Sequence, residues 1–300
     1  MHRLITLVTC LFAISFSGCS LFDRPEDIPA YLEFRNPRVI LDDNSTFTSN
    51  IGIRDVWLYQ GGFLQGIYPV NPVEDSNWVA IPVINLENND FFIDAGIHET
   101  GQSSFHLPYP FWDRIEFTLD LTPGDTFVVE PEVRYVEEER YLAPVYERFD
   151  GGLIDLVPFN SSLIELDSTF VRLSTTEVFR GNSSGFVNFG PDDRWFEAIN
   201  STPFQLDKSK DVYLEITYKN SVPLEVGLVY QNISGLFPES VVTITPKEDW
   251  NTIYIHLIEQ TRNILNLSGD IANFWIWLRA DGEGNDGYIY LDDIRLIRER

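Results

Sequence analysis

Apolar and polar residues alternate in steps of two along most of this chain, with Val, Ile, Thr, Tyr and Phe filling the apolar places. Turn residues recur about every ten positions, the spacing of short strands. The segment "IRDVWLYQGGFLQGIYPV" (53–70) predicts two strands joined at Gly61-Gly62, a hairpin signal. The segment "RIEFTLDLTPGDTFVVEPEVRYV" (114–136) predicts two more around Thr122-Pro123-Gly124-Asp125. There Pro presets φ and Gly accepts φ > 0. The best candidate for a helix is the short stretch "IEQTRNILNLS" (258–268). The pattern predicts an all-β protein made of sandwiches.

The N-terminus breaks the alternation. After Arg3, residues 4–16 are uninterrupted by charge, and Ser17-Gly18-Cys19 follows. A run of about 13 apolar residues is too short for a bilayer core, which takes about 20. Positive charge, apolar core and small residues are the layout of a signal peptide. The segment resembles a bacterial lipobox, with Phe16 in place of the usual Leu. That resemblance implies removal of residues 1–18 and lipidation of Cys19, with more than one acyl chain on the mature protein. Ser20 beside the cysteine resembles the outer-membrane sorting signal. Acidic residues close behind it resemble the export signal of surface lipoproteins in the Bacteroidota, although Leu21 and Phe22 interrupt the match. Residues 19–27 then form an acidic tether, and the membrane is a partner through the lipid. Of the two cysteines, Cys10 would leave with the signal and Cys19 would carry lipid, so no thiol would remain for a disulfide or a cysteine metal site.

A chain of 300 residues suggests two domains. The junction is expected in "EEERYLAPVYERF" (137–149). Glu137, Glu138 and Glu139 point alternately to opposite faces of any strand, so they cannot converge on one site. They read as a solvated linker ended by Pro144. The first domain, 28–143, is expected to be an immunoglobulin-like or transthyretin-like sandwich. The second, 145–300, opens "YERFDGG", passes through "FRGNSSGFVNF", "VYLEITYKN" and "WNTIYIHLI", and closes "YIYLDDIRLI". These segments resemble the jelly roll of the galactose-binding-like superfamily, which includes many carbohydrate-binding modules. The resemblance implies a module that binds sugar, lipid or protein, and some members bind nothing.

Charge narrows the partners. Lys and Arg number 21 against 46 Asp and Glu, a net charge of −25. Such a chain repels nucleic acid and anionic membrane surfaces. Catalytic patterns are missing from the sequence. His98, His106 and His256 fall in no HxxxH or HExxH spacing, and there is no G-x-S-x-G elbow or P-loop. His256, inside "IYIHLI", reads as an exposed strand position. The expectation is a protein without enzyme activity.

Two places carry candidate chemistry. In "YIYLDDIRLI", Ile289 and Leu291 share one face, while Ile294 and Leu296 share a face in the opposite parity. A bulge at Asp292-Asp293 would put both pairs into one core. The superfamily resemblance implies a structural Ca²⁺ here, held by Asp292 or Asp293 with Asp150 or Glu147 and carbonyls near Gly181-Asn182; hard oxygen ligands suit that ion. The rival is a salt bridge from the Asp pair to Arg295 or Arg298. In "NFWIWLRADGEGNDG" (273–287), Trp275, Trp277 and Arg279 point one way and Phe274, Ile276 and Leu278 the other. The two tryptophans, joined by Trp195, would make a platform for sugar rings, or else fill the core or the domain junction. The expected function is glycan binding by a lipid-anchored outer-membrane protein. The alternative is an accessory subunit of an outer-membrane complex whose jelly roll contacts protein.

Overall fold

A computed structural model describes residues 27–41, 48–49, 52–70, 79–159, 168–268 and 273–300. Cys10, Cys19, the signal and the tether as far as Glu26 lie outside the described residues. The regular secondary structure of the described residues is all strand apart from one short helix. Its first half contains β1 (Ala30–Phe34), β2 (Arg38–Ile40), β3 (Thr48–Ser49), β4 (Asp55–Gln60), β5 (Phe63–Pro69), β6 (Val79–Val83), β7 (Asp90–His98), β8 (His106–Pro108), β9 (Ile115–Thr118), β10 (Thr126–Val129) and β11 (Glu132–Val133). They form a sheet in the order β5-β4-β7-β8, with β9 also on β7, and two three-stranded sheets, β10-β1-β6 and β11-β2-β3. Gly61 and Gly62 both take positive φ, 55° and 85°, and close the β4–β5 hairpin as their sequence foretold. In the turn at Thr122, Gly124 has φ 85° and Asp125 N–H donates to the Thr122 carbonyl at 3.1 Å. That turn carries the chain from one sheet to another. There β10 and β11 run parallel to β1 and β2.

The second half contains β12 (Tyr141–Glu147), β13 (Leu156–Pro158), β14 (Ser168–Thr169), β15 (Arg172–Ser174), β16 (Ser184–Phe189), β17 (Trp195–Asn200), β18 (Val212–Asn220), β19 (Leu224–Asn232), β20 (Gly235–Ile244), β21 (Lys247–His256), helix α1 (Ile258–Ser268), β22 (Phe274–Asp281) and β23 (Gly287–Glu299). One sheet runs β15-β16-β23-β18-β21, with β12 also on β23. The other runs β13-β17-β22-β19-β20, with β14 along β17. Between them lies one apolar core that includes Phe189, Phe196, Leu214, Leu228, Phe274 and Ile276. This is the sandwich of a jelly roll. The helix covers the residues its pattern marked. The bulge also forms. The β18–β23 register slips between Glu215 and Thr217, opposite Arg295 and Asp292, and Asp293 takes φ 41°. Ile289, Leu291, Ile294 and Leu296 thereby all enter the same core at 0% exposure.

At the junction, Glu137, Glu138 and Glu139 are exposed, and Arg140 N–H closes their turn on the Glu137 carbonyl at 2.9 Å. Strand β12 begins at Tyr141, inside the stretch read as linker, and pairs with β23 from Tyr141↔Glu299 to Glu147↔Ile294. Pro144 sits where that register slips, a position where a missing N–H costs no ladder bond. The two halves also share apolar packing. Tyr213, Tyr254 and Ile297 of the second half belong to the same buried cluster as Leu32, Phe34 and Ile97. The Tyr109 ring lies 5.2 Å from Tyr213 and 4.8 Å from Tyr254. Thr100 N–H donates to the Tyr254 carbonyl at 2.8 Å.

Candidate functional site

The outer face of the β17–β22–β19 sheet gathers the four residues singled out for ligand binding. Phe274, Ile276 and Leu278 face the core, so the period of two turns Trp275, Trp277 and Arg279 outward. Register then aligns neighbours. Glu197 of β17, Arg279 of β22 and Glu225 of β19 stand side by side across three strands. Trp195 lies on the same face, with the guanidinium of Arg279 5.3 Å and that of Arg194 4.8 Å from its ring centre. Arg194 is fixed by a two-pronged contact to Asp281, both distances 2.8 Å.

The four do not form a flat exposed platform. Trp277 is only 3% exposed and packs with Ile199 and Val229, with Phe159 and Trp275 against them. Its indole N–H donates to Glu197 Oε1 at 2.7 Å. It therefore lies beneath the face as an anchor, and the expectation that it stacks on a ligand is corrected. Trp275 is half-buried and keeps part of its ring at the surface. A single sequence cannot separate these two, since they share parity on one strand and differ only in what the neighbouring strands lay over them.

The acidic cluster is built by the β23 bulge. Asp292 is fully buried; it accepts the N–H of Arg180 at 3.0 Å and that of Asp293 at 2.9 Å. Burial, with Asp293 and Asp150 nearby, pushes its carboxyl up to about 7. Asp150 accepts the Asn182 N–H at 2.7 Å and meets Arg148 at 3.1 Å. The loop Arg180-Gly181-Asn182 is thus held between two carboxylates. A Cβ on Gly181 would sit 2.1 Å from Asp150 Oδ2. Asp293 is engaged differently. The Arg180 guanidinium lies 3.3 Å away and the Tyr146 hydroxyl donates to it at 3.1 Å. The salt bridge expected to Arg295 or Arg298 is therefore made to Arg180. Arg295 instead lies over the rings of Tyr135 and Tyr146, at 4.4 and 4.2 Å. Glu147 is taken up by the N–H groups of Phe149 and Asp155. Asp292 and Asp150 likewise each accept two protein donors, and they lie close enough for Asp150 to help raise the Asp292 carboxyl.

Sequence spacing missed what the sheets bring together from afar. His256 is half-buried, stacked on Tyr213 at 4.4 Å, and its ring nitrogens meet Glu99 at 2.5 Å and Asp211 at 3.3 Å. It bridges the halves and is not the exposed position expected. Against the net charge, Arg134, Arg148, Arg180, Arg295 and Arg300 line one groove at the junction. His98 and His106 meet across β7 and β8, a proximity set by register.

No family model matches the chain, and no curated protein matches it in sequence. Solved structures similar to it include a xylan-binding domain of carbohydrate-binding family 22, at 14% identity over 51% of this chain and 93% of that one, TM-score 0.33. Another is the C-terminal family 22 module of Clostridium thermocellum Xyn10B, at 15% identity, 51% and 92% coverage and TM-score 0.33. A family 30 carbohydrate-binding module aligns at 14% identity over 48% and 87%, TM-score 0.33.

Proposed function

We propose that this is a non-enzymatic, lipid-anchored outer-membrane protein that binds a glycan on the outer face of its β17–β22–β19 sheet. The observation that carries the reading is the partly exposed Trp275 on the same sheet face as the partly exposed Arg279 and Glu225. A sugar presents an apolar face to an aromatic ring and hydroxyls at its rim. Here a ring and charged hydrogen-bonding groups lie on one surface. Trp275→Ala should weaken a bound glycan about tenfold to a hundredfold, since losing a buried aromatic contact costs about 1.5–3 kcal/mol. The measurement is affinity electrophoresis against a panel of neutral and acidic polysaccharides, with circular dichroism to show that the variant folds. Equal retention of wild type and variant, or retention of neither, would overturn the assignment.

A second reading, a subunit that contacts protein, is favoured by the β19–β20 hairpin. Its tip exposes Ile233 completely, with Leu236 and Phe237 also exposed behind it. Co-purification of a defined membrane protein, lost on Ile233→Asp but kept on Trp275→Ala, would select that reading.

In the same reading a structural Ca²⁺ is held by Asp292 and Asp150. An ion that binds only the folded state at a hundredfold excess over its Kd stabilises by about 2.7 kcal/mol. Melting the full chain in CaCl₂ and in EDTA should separate the two curves, and Asp150→Asn should bring them together. Coincident curves for the wild type would remove the ion.

A further inference from the structure

Strand register places three metal-binding side chains on one face of the first half. His98 of β7 and His106 of β8 are direct partners, and Asp55 of β4 is the partner of Gly96, two residues before His98. Alternation puts Gly96 and His98 on the same side of β7. Asp55 and His106 belong to strands separated by β7, too far apart for neighbouring side chains to touch unless one crosses. Asp55 crosses at Gly96. A Cβ on that residue would lie 1.7 Å from Asp55 Oδ1, so the carboxylate lies in the space a side chain would fill. From there Asp55 Oδ2 reaches His106 Nδ1 at 2.7 Å, and the Trp57 indole N–H donates to Asp55 Oδ1 at 2.7 Å. The His98 and His106 rings meet edge to face at 4.6 Å.

We propose that Asp55, His98 and His106 form a binding site for a divalent transition-metal ion of the zinc class. One ligand atom from each residue lies within 4.8 Å of the other two. Ligand atoms on a tetrahedral zinc ion are about 3.4 Å apart, a spacing that small rotations of the imidazoles supply. Two imidazoles and one carboxylate are a donor set that takes Zn²⁺ with a fourth position left open. Asp55 is fully buried and His98 half-buried, so both are held by the sheet before any ion arrives. Trp57 orients the carboxylate from behind, the role of an outer hydrogen bond in metal sites. His98 also lines a cleft between the halves with Arg54, Gln102, Tyr218, Lys247 and Asn251, which places the site at that cleft's rim.

The rival is a plain Asp55–His106 ion pair that holds no metal. The full chain, stripped with EDTA and dialysed, is titrated with Zn²⁺ by calorimetry and with Co²⁺ by visible absorption. One equivalent should bind, with a cobalt d–d band of a nitrogen–oxygen site. His98→Ala and His106→Ala should each weaken binding at least tenfold. Trp57→Phe should weaken it about tenfold. His256→Ala, at the other histidine–carboxylate contact, should leave it unchanged. A wild type that binds no zinc overturns the site. So does zinc binding that survives His98→Ala and His106→Ala, or that is lost in His256→Ala.

Discussion

Glu215→Ala is expected to destabilise the protein by about 3–5 kcal/mol, the cost of breaking a buried charged network. Glu215 stands on β18 and is buried. Both hydroxyl groups bonded to it come from the other half. Tyr109 donates to Oε1 at 2.5 Å and Tyr135 to Oε2 at 2.7 Å. Removing the carboxylate orphans two buried hydroxyls and takes from buried Arg295 a neighbouring negative charge. The melting temperature should fall by about 10 °C. Burial raises the Glu215 carboxyl above its ordinary range, so the native state holds a proton to higher pH than the unfolded chain. Its contribution is complete below the unfolded value and fades as pH rises through the native one. Glu215→Gln should lose that part of the pH dependence. Thermal melts of the three proteins between pH 4 and 8 test both statements; a shift of under about 1 kcal/mol for Glu215→Ala would show that the junction does not depend on this carboxylate.

Cys19→Ser is expected to move the protein entirely from the membrane to the soluble fraction. Each buried methylene of an acyl chain is worth about 0.8 kcal/mol; one chain alone holds a protein only marginally, and more than one makes the anchor firm. No helix of the described residues is long and apolar enough to cross a membrane. A net charge of −25 is repelled by anionic headgroups. Fractionation of cells producing the two forms, with mass spectrometry of the N-terminal peptide, is the check. An unchanged distribution and an unmodified peptide would end the lipoprotein reading.

Local structure is legible where one strand's own sequence decides the outcome. The parity switch in "YIYLDDIRLI" foretold the β23 bulge, because only an extra residue puts Ile289, Leu291, Ile294 and Leu296 on one side. Gly61-Gly62 foretold its hairpin, because both residues need positive φ. What depends on partners was not legible. Trp275 and Trp277 have the same parity, and only the packing of Ile199, Val229 and Phe159 separates the buried ring from the half-exposed one. Pro144 reads as a break, yet the bulged edge of β12 accommodates it. Asp55, His98 and His106 stand 43 and 8 residues apart in sequence, and meet only through the registers of β4, β7 and β8. Motif spacings suited to helices do not detect such a set.

The sharing of one buried cluster between the halves also governs the order in which the chain can acquire structure. Phe34 and Leu32 leave the ribosome early, while Ile297, which packs in their cluster, belongs to the last strand. Tyr141–Glu147 likewise waits for Glu299–Ile294 to pair with it. The first half therefore cannot finish its interior while synthesis continues, and contacts this distant in sequence close slowly. Until β23 pairs with it, the polypeptide exposes apolar strands, the kind of surface through which partly folded chains aggregate.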